Sequence, residues 1–301
     1  MAVNNKLTTL VLIFSVVALW SGNFIAITHV VKEVSVFTTL TLRFIMVSIV
    51  LSPLLLKIPS KKDFIYLIAA TFAIILGHFG LLFMSLQATN SVSGVSVLIQ
   101  LSIPFSIVLA WIFYKERPSR LRIVGLIIAF SGIVFLLYDP SLLDNKYAFT
   151  LAILSALSLG LYFVLIKKIK EIKSLALVAW TSFLGIPMMY CMMILNNKSF
   201  NEILFIESNL TYYSFFYVVI CGSILGHGIW IYLVKTQDIN FISPFLLLIP
   251  LFTTFLSSII FEEEVTRNFV IISSIIVFGT FLVFISKNIP QNLNKISEDI
   301  K

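Results

Sequence analysis

Long apolar stretches alternate with short polar segments along the whole chain, and each stretch has about the length of a membrane-crossing helix. A helix needs about 20 mostly apolar residues to cross a bilayer, whereas barrel strands are about half as long and alternate in polarity. The pattern therefore predicts an all-α integral membrane protein with ten transmembrane helices. The predicted spans are 7–28, 36–56, 64–86, 92–114, 121–138, 147–166, 175–195, 211–234, 242–261 and 268–286.

The two halves of the chain share landmarks. Ile-Leu-Gly-His occurs at 75–78 and again at 224–227, although the chain has only 3 His and 12 Gly. Further polar and proline positions recur downstream: Gln87, Asn90, Ser93, Pro104 and Glu116 match Gln237, Asn240, Ser243, Pro250 and Glu262. Repeated landmarks indicate a tandem duplication. We expect five-helix repeats at 1–144 and 145–288, followed by a polar cytoplasmic tail at 289–301.

Composition supports lipid as the main solvent of this chain, because 59% of its residues are hydrophobic and only 12% are charged. The net charge of +7 is unevenly distributed. With a cytoplasmic N-terminus, sixteen Lys and Arg lie on the inner side and four on the outer side, while Arg43 lies within a span. This distribution follows the positive-inside rule, so the basic residues indicate topology rather than nucleic-acid binding. It predicts an inner-membrane protein with both termini in the cytoplasm.

An odd number of spans in each half places the second half upside down relative to the first. Inverted repeats of this kind are typical of secondary transporters, although channels and membrane enzymes can also be duplicated. The sequence contains no Ser/His/Asp set, phosphate-binding loop or His/Cys cluster with metal-ligand spacing. We therefore expect no enzymatic activity, no metal and no cofactor.

Several short motifs resemble those of the drug/metabolite transporter superfamily, in the same order along the chain. The first half carries Trp20-Ser21-Gly22-Asn23, Arg43-Phe44, Pro104 followed by Glu116-Arg117, and the pair Gly125 and Gly132. The second half carries Gly226-His227-Gly228-Ile229-Trp230, Ser243-Pro244, and Pro250 followed by Glu262. These motifs resemble the EamA branch, and the resemblance implies export of amino-acid metabolites by two inverted five-helix repeats.

Polar and aromatic residues within the spans are the candidates for substrate binding, because a polar group in hydrocarbon requires a partner or a cavity. Trp20 and Asn23 share one helical face, as do His227 and Trp230. His78 and His227 either contact substrate in the cavity or relay protons, or are neutral residues hydrogen-bonded to neighbouring helices. The full candidate set is Trp20, Asn23, His78, Gln100, Tyr162, Trp180, His227 and Trp230.

A second set of residues is predicted to shape or gate the cavity. Arg43 either extends to the outer interface, pairs with an outer carboxylate such as Glu262, or binds an anionic group. Pro104 and Pro250 interrupt helices at matching positions, which points to a binding site or to a structural kink. Glu116 and Glu262 end spans 4 and 9 on opposite sides, where they would anchor or gate the helices.

These patterns together predict a transporter that exports small amino-acid-type metabolites by alternating access. An uptake carrier or exchanger for another small organic solute, or a passive channel, remains an alternative. The expected partners are a small-molecule substrate and the lipid bilayer, without nucleic acid. Proton coupling and the choice between a monomer and a homodimer stay open.

Overall fold

The structure is a computed structural model that describes residues 6–56, 58–115, 118–138, 146–237 and 242–285. Its regular elements within these ranges are helices, with no strand among them. The α-helices are α1 Lys6–Glu33, α2 Val36–Val50, α3 Lys61–Thr71, α4 Leu81–Ala88, α5 Val92–Ile99, α6 Ser102–Tyr114, α7 Arg120–Tyr138, α8 Lys146–Ile166, α9 Ser174–Leu195, α10 Asn209–Tyr217, α11 Gly226–Thr236, α12 Leu248–Ile260 and α13 Arg267–Ile285.

Two π-helical segments and three 3-10 segments complete the helical structure. Phe72–Gly80 joins α3 to α4, and Val218–Leu225 joins α10 to α11, so that each pair forms one continuous stretch. The 3-10 segments are Ser52–Leu56, Phe200–Phe205 and Ser243–Leu247.

Six continuous helical stretches are long and apolar enough to cross a membrane. They are Leu7–Glu33, Lys61–Ala88, Val92–Tyr114, Lys146–Ile166, Leu175–Leu195 and Asn209–Trp230. Large apolar side chains also face outwards, among them Ile127 at 64% exposed and Phe255 at 63%. Leaving such side chains in water forfeits about 1.5–3 kcal/mol each relative to burial. This surface supports the predicted all-α integral membrane architecture.

Three predicted spans are interrupted where the sequence contains proline or a polar residue. The predicted span 36–56 is an α-helix only to Val50 and then turns into a 3-10 segment that contains Pro53. The span 92–114 divides at Gln100, between α5 and α6. The span 242–261 begins with the 3-10 segment Ser243–Leu247 before α12 starts.

Pro104 and Pro250 occupy the same place in two helices of equal length. Each is the third residue of a 13-residue α-helix, α6 and α12 respectively, and each is buried. A proline is tolerated in the first turn, because the amide N–H groups there have no partner within the helix. Both prolines therefore accompany a new helix start rather than a kink in the middle of a helix.

The helices pack in a pattern that is nearly unchanged when the two halves are exchanged. α7 packs on α13, and α2 packs on α9. α8 packs against α6 and the π-segment Phe72–Gly80, whereas α1 packs against α12 and the π-segment Val218–Leu225. Glycine permits α7 and α13 to approach closely, since a Cβ added at Gly125 of α7 would lie 2.7 Å from the carbonyl oxygen of Gly279 on α13.

Candidate substrate site

The repeated Ile-Leu-Gly-His strings lie on the two π-helical segments. The first string falls entirely within Phe72–Gly80, and the second runs from Val218–Leu225 into the first turn of α11. A π-helical turn widens the helix and shifts backbone bonding from i−4 to i−5, and such turns are frequent at functional sites. His78 therefore lies within a π-helical segment, and His227 lies just after one.

The carbonyl oxygen of Gly222, in the second π-segment, is the centre of one polar cluster. It accepts a hydrogen bond from Trp20 Nε1 at 3.3 Å and lies 3.1 Å from His227 Nδ1. A carbonyl can only accept, so Nδ1 of His227 carries the proton. Around this oxygen, the Trp20 ring lies 5.3 Å from the His227 ring and 5.9 Å from the Trp230 ring.

Glycines in and just after the second π-segment allow α1 to approach it closely. A Cβ added at Gly226 would lie 2.5 Å from Trp20 Nε1, and one at Gly222 would overlap the amide of Asn23. Asn23 Oδ1 is buried there and has no hydrogen-bond partner. The predicted residues Trp20, Asn23, His227 and Trp230 are thus brought together, on helices from both halves of the chain.

Arg43 enters the same region from α2 and is almost completely buried, at 2% exposed. Its Nε donates to Ser223 Oγ at 3.0 Å, and its guanidinium carbon lies 4.1 Å from the centre of the Phe79 ring. Nη1 is buried without a partner. Arg43 therefore neither extends to the outer interface nor pairs with Glu262, which excludes two of the three arrangements considered from the sequence.

The contacts of Arg43 explain how a cation can stay buried without a carboxylate. A central arginine costs about 2.5–3.5 kcal/mol on insertion scales. A charged hydrogen bond returns about 1.5–3 kcal/mol, and a cation–π contact about 0.5–2 kcal/mol. These contributions are of the same size as the cost. The Ser223 hydroxyl and the Phe79 ring can therefore hold the guanidinium in place while Nη1 keeps its donors free.

His78 forms the corresponding contact between the first π-segment and α8. Its Nδ1 lies 2.9 Å from Ser155 Oγ, and that hydroxyl donates to the carbonyl oxygen of His78 at 3.0 Å. Ser155 has one hydroxyl proton, so it accepts from His78 and Nδ1 of His78 is protonated. The side chains of His78, His227 and Arg43 are close enough for their charges to interact.

The other predicted substrate-binding residues are Gln100, Tyr162 and Trp180, and their surroundings are different. Gln100 is buried at the break between α5 and α6. The Tyr162 ring contacts Phe163 on α8, and the Trp180 ring contacts Phe183 on α9. Trp180 Nε1 is buried without a partner, which leaves one donor available on α9.

Carboxylate side chains connect the ends of helices. At the end of α12, the connecting residue is Glu263 and not the predicted Glu262. Glu262 is exposed with φ 54°, whereas Glu263 turns inwards. Glu263 accepts from Ser91 Oγ at 2.7 Å, from Ser93 N at 3.2 Å and from the Ser93 hydroxyl. The anchoring role expected for Glu262 therefore belongs to its neighbour. Glu116 lies outside the described residues.

Two more carboxylates make similar contacts. Glu33 accepts from Glu207 N and Ser208 N at 3.1 and 3.3 Å, just before α10. Asp63 at the start of α3 accepts from Lys170 N and Glu171 N at 3.1 and 2.8 Å, in the segment after α8. Both connect the end of the first long helix of one half to the start of the third long stretch of the other half.

Glu202 forms the fourth such contact, in the segment between α9 and α10. Its Oε2 accepts from Ser35 N, the N-cap residue of α2, at 3.0 Å. Burial alone would raise the pKa of Glu202, but hydrogen bonds from Ser35 and Thr38 and the charge of Lys198 outweigh it and lower the pKa.

The sequence gives little indication of the remaining site residues. Ser223 and Ser155 hold Arg43 and His78, and Phe79 supports the Arg43 cation. Serine and phenylalanine are common throughout these spans, so neither type stands out. The position of Ser223, between Gly222 and the repeated string, is the one available signal.

The fold and the polar cluster define a helical membrane protein with buried polar groups between its helices, and comparison with known proteins supplies the class. The chain belongs to the EamA-like transporter family, which matches residues 7–138 and 146–285. The molecule is therefore a transporter rather than an enzyme. Its solvent is the lipid bilayer, which it crosses several times.

Individual relatives are also described as transporters or efflux pumps. A "probable amino-acid metabolite efflux pump" of Salmonella typhimurium is 24% identical over 83% of this chain and 86% of its own length. A protein with the same description in Escherichia coli is 24% identical, with 85% and 88% covered. An "uncharacterized transporter" of Archaeoglobus fulgidus is 26% identical, with 89% and 95% covered.

Among solved structures, a crystal structure has a similar fold. It aligns with a TM-score of 0.60 at 16% sequence identity and covers 93% of this chain and 98% of its own. At this level of identity the similarity concerns the fold alone.

Proposed function

We propose that this transporter exports small amino-acid-type metabolites across the inner membrane by alternating access, with both termini in the cytoplasm. The observation that carries the proposal is the cluster around Gly222 and Ser223. There, Trp20, Asn23 and Arg43 of the first half meet His227 of the second. A site built between two halves is remodelled whenever the halves move relative to each other.

We further propose that the chain crosses the membrane ten times, as two inverted five-helix repeats at 1–144 and 145–288. The exchange-symmetric helix packing supports this arrangement. So do the matching positions of Pro104 and Pro250 and the two π-segments that carry Ile-Leu-Gly-His. The excess of Lys and Arg on one predicted side supports the orientation.

The chemistry of the cluster is suited to an amino-acid-type solute. Trp20 and Trp230 provide aromatic surface, and Asn23 and Arg43 provide polar groups without protein partners. Ligand sites generally combine an apolar wall with a few placed polar groups. The Salmonella typhimurium and Escherichia coli relatives, described as efflux pumps for amino-acid metabolites, support both the substrate class and outward transport.

The other assigned residues stay predictions. Gln100, Tyr162 and Trp180 are proposed to line further parts of the cavity, and Glu116 is proposed to act at the inner end of span 4. His78 and His227 are proposed to line the cavity, with proton relay as one mechanism. A monomer and a homodimer are both compatible with this scheme.

Counterflow in liposomes tests the proposal. Purified protein is reconstituted with one unlabelled amino acid or amino-acid metabolite inside, and the labelled solute is added outside, with and without a pH gradient. We expect saturable, transient accumulation of label for at least one solute. Flux that rises linearly with concentration would indicate a channel. Counterflow of other organic solutes, with none for amino-acid metabolites, would overturn the substrate class.

A further inference from the structure

Two buried polar atoms of opposite character lie beside adjacent residues of the second π-segment. Arg43 Nη1 is a cationic donor, and Asn23 Oδ1 is an acceptor; each is buried and lacks a partner. Asn23 packs against Gly222, and Arg43 is hydrogen-bonded to Ser223. Consecutive Cα atoms are about 3.8 Å apart, so the two side chains are held on neighbouring backbone positions.

An unpaired cationic donor and an unpaired amide acceptor at one place are candidate contacts for a solute that enters the site. Buried polar groups in native proteins are nearly always hydrogen-bonded, and each exception requires an explanation. Among the described residues, no carboxylate contacts Arg43, whose recorded contacts are Ser223 and the rings of Phe44, Phe79 and Phe83.

The free groups match the two ends of a zwitterion. A guanidinium presents N–H donors in a planar fork that fits a carboxylate. The amide oxygen of Asn23 accepts hydrogen bonds and suits an ammonium group. The apolar part of such a solute would meet the Trp20 ring, which already contacts Trp230.

We propose that Arg43 binds the carboxylate and Asn23 Oδ1 binds the ammonium group of a zwitterionic α-amino acid, making these residues the determinants of substrate charge. The inference rests on the proposed function and refines it. A dipolar solute with adjacent charges is selected, whereas an amine or an acid that lacks one charge leaves Arg43 or Asn23 unpaired.

The experiment compares one amino acid with two analogues that each lack one charge. The wild type is first screened by counterflow, and an aromatic amino acid such as L-phenylalanine is then tested for competition by phenethylamine and 3-phenylpropionate. We expect both analogues to compete at least about tenfold more weakly, since truncating one side of a buried charge contact typically has an effect of this size or larger.

Two variants assign the charges to residues. Arg43→Gln should weaken the apparent affinity for L-phenylalanine at least about tenfold. The affinity for phenethylamine should change less than about threefold, because phenethylamine has no carboxylate for Arg43 to bind. Asn23→Ala should show the converse pattern, with 3-phenylpropionate nearly unchanged. Thr39→Val is the matched control, since Thr39 lies one turn before Arg43 on α2, is buried, and also has a hydroxyl without a partner.

The outcomes separate this inference from the proposed function. If the wild type exchanges no amino-acid metabolite, the proposed function fails. If the wild type exchanges L-phenylalanine but each variant lowers the affinity for all three solutes equally, the charge assignment is overturned while the function stands. Should Arg43→Gln fail to fold, the Asn23→Ala arm and ligand-induced shifts of the melting temperature of the wild type give the same discrimination.

Discussion

At the residue scale, glycine determines how closely the two halves of the site approach each other. Gly222 and Gly228 are six residues apart in one helical stretch, yet their surroundings differ completely. A Cβ at Gly222 would lie 2.6 Å from Asn23 Cγ, whereas a Cβ at Gly228 would meet nothing within 4 Å. An alanine at Gly222 therefore changes the packing against Asn23, whereas an alanine at Gly228 changes helix propensity alone.

We predict that Gly222→Ala destabilises the protein by about 1–3 kcal/mol through overpacking and reduces counterflow. Gly228→Ala should be neutral or stabilising by up to about 1 kcal/mol, because alanine favours a helix more than glycine does. Thermal unfolding in detergent and initial counterflow rates measure both effects. Equal behaviour of the two variants would contradict the close approach of Asn23 to Gly222.

At the element scale, the start of α5 is held by the carboxylate that follows α12. Glu263 accepts from the N-cap Ser91 and from Ser93, whose amide is among the unpaired N–H groups of the first turn. A negative charge at a helix N-terminus is also favoured by the helix dipole. The contact joins the start of α5 to the end of α12, the helix that contains Pro250.

We predict that Glu263→Gln lowers the stability of the protein by about 0.5–2 kcal/mol, since a neutral amide loses the charge and one acceptor oxygen. Glu264→Gln is the control, because Glu264 is exposed in the same segment and surface changes usually stay within about 0.5 kcal/mol. The melting temperatures of the two variants in one detergent provide the measurement. A shift of the same size in both would show that the contact does not stabilise α5.

The helix positions could be predicted from apolar length, but the exact partner at a helix end could not. Pro104 and Pro250 each lie in the first turn of a helix that follows a break, where the N–H that proline lacks is not needed. Glu262 and Glu263 have the same side chain, so residue type does not distinguish them; Glu262 adopts a left-handed backbone and is exposed, whereas Glu263 contacts Ser91 and Ser93. The π-helical geometry at Ile-Leu-Gly-His likewise depends on packing against α1 and α8, which hydropathy does not encode.

At the scale of the whole molecule, the first helix of each half packs on the π-helical segment of the other half. α1 packs on the π-segment of the second half and α8 on that of the first. Trp20 lies against Gly226 as Ser158 lies against Gly77, the glycines being those of the repeated string. This correspondence could not be predicted from the string alone, since tryptophan and serine have no similarity as residue types.

The inversion of the halves is tested most directly by determining the membrane side of two equivalent positions. Lys32 and Lys170 are both exposed; Lys32 lies in the last turn of α1, and Lys170 lies just after α8, the first long helix of the second half. After Cys191 and Cys221 are replaced by serine, Lys32→Cys and Lys170→Cys are reacted separately with a membrane-impermeant maleimide on intact cells and on inverted vesicles. We predict labelling of Lys32→Cys only from outside and of Lys170→Cys only from the cytoplasmic side. Labelling of both from the same side would contradict the inverted repeat.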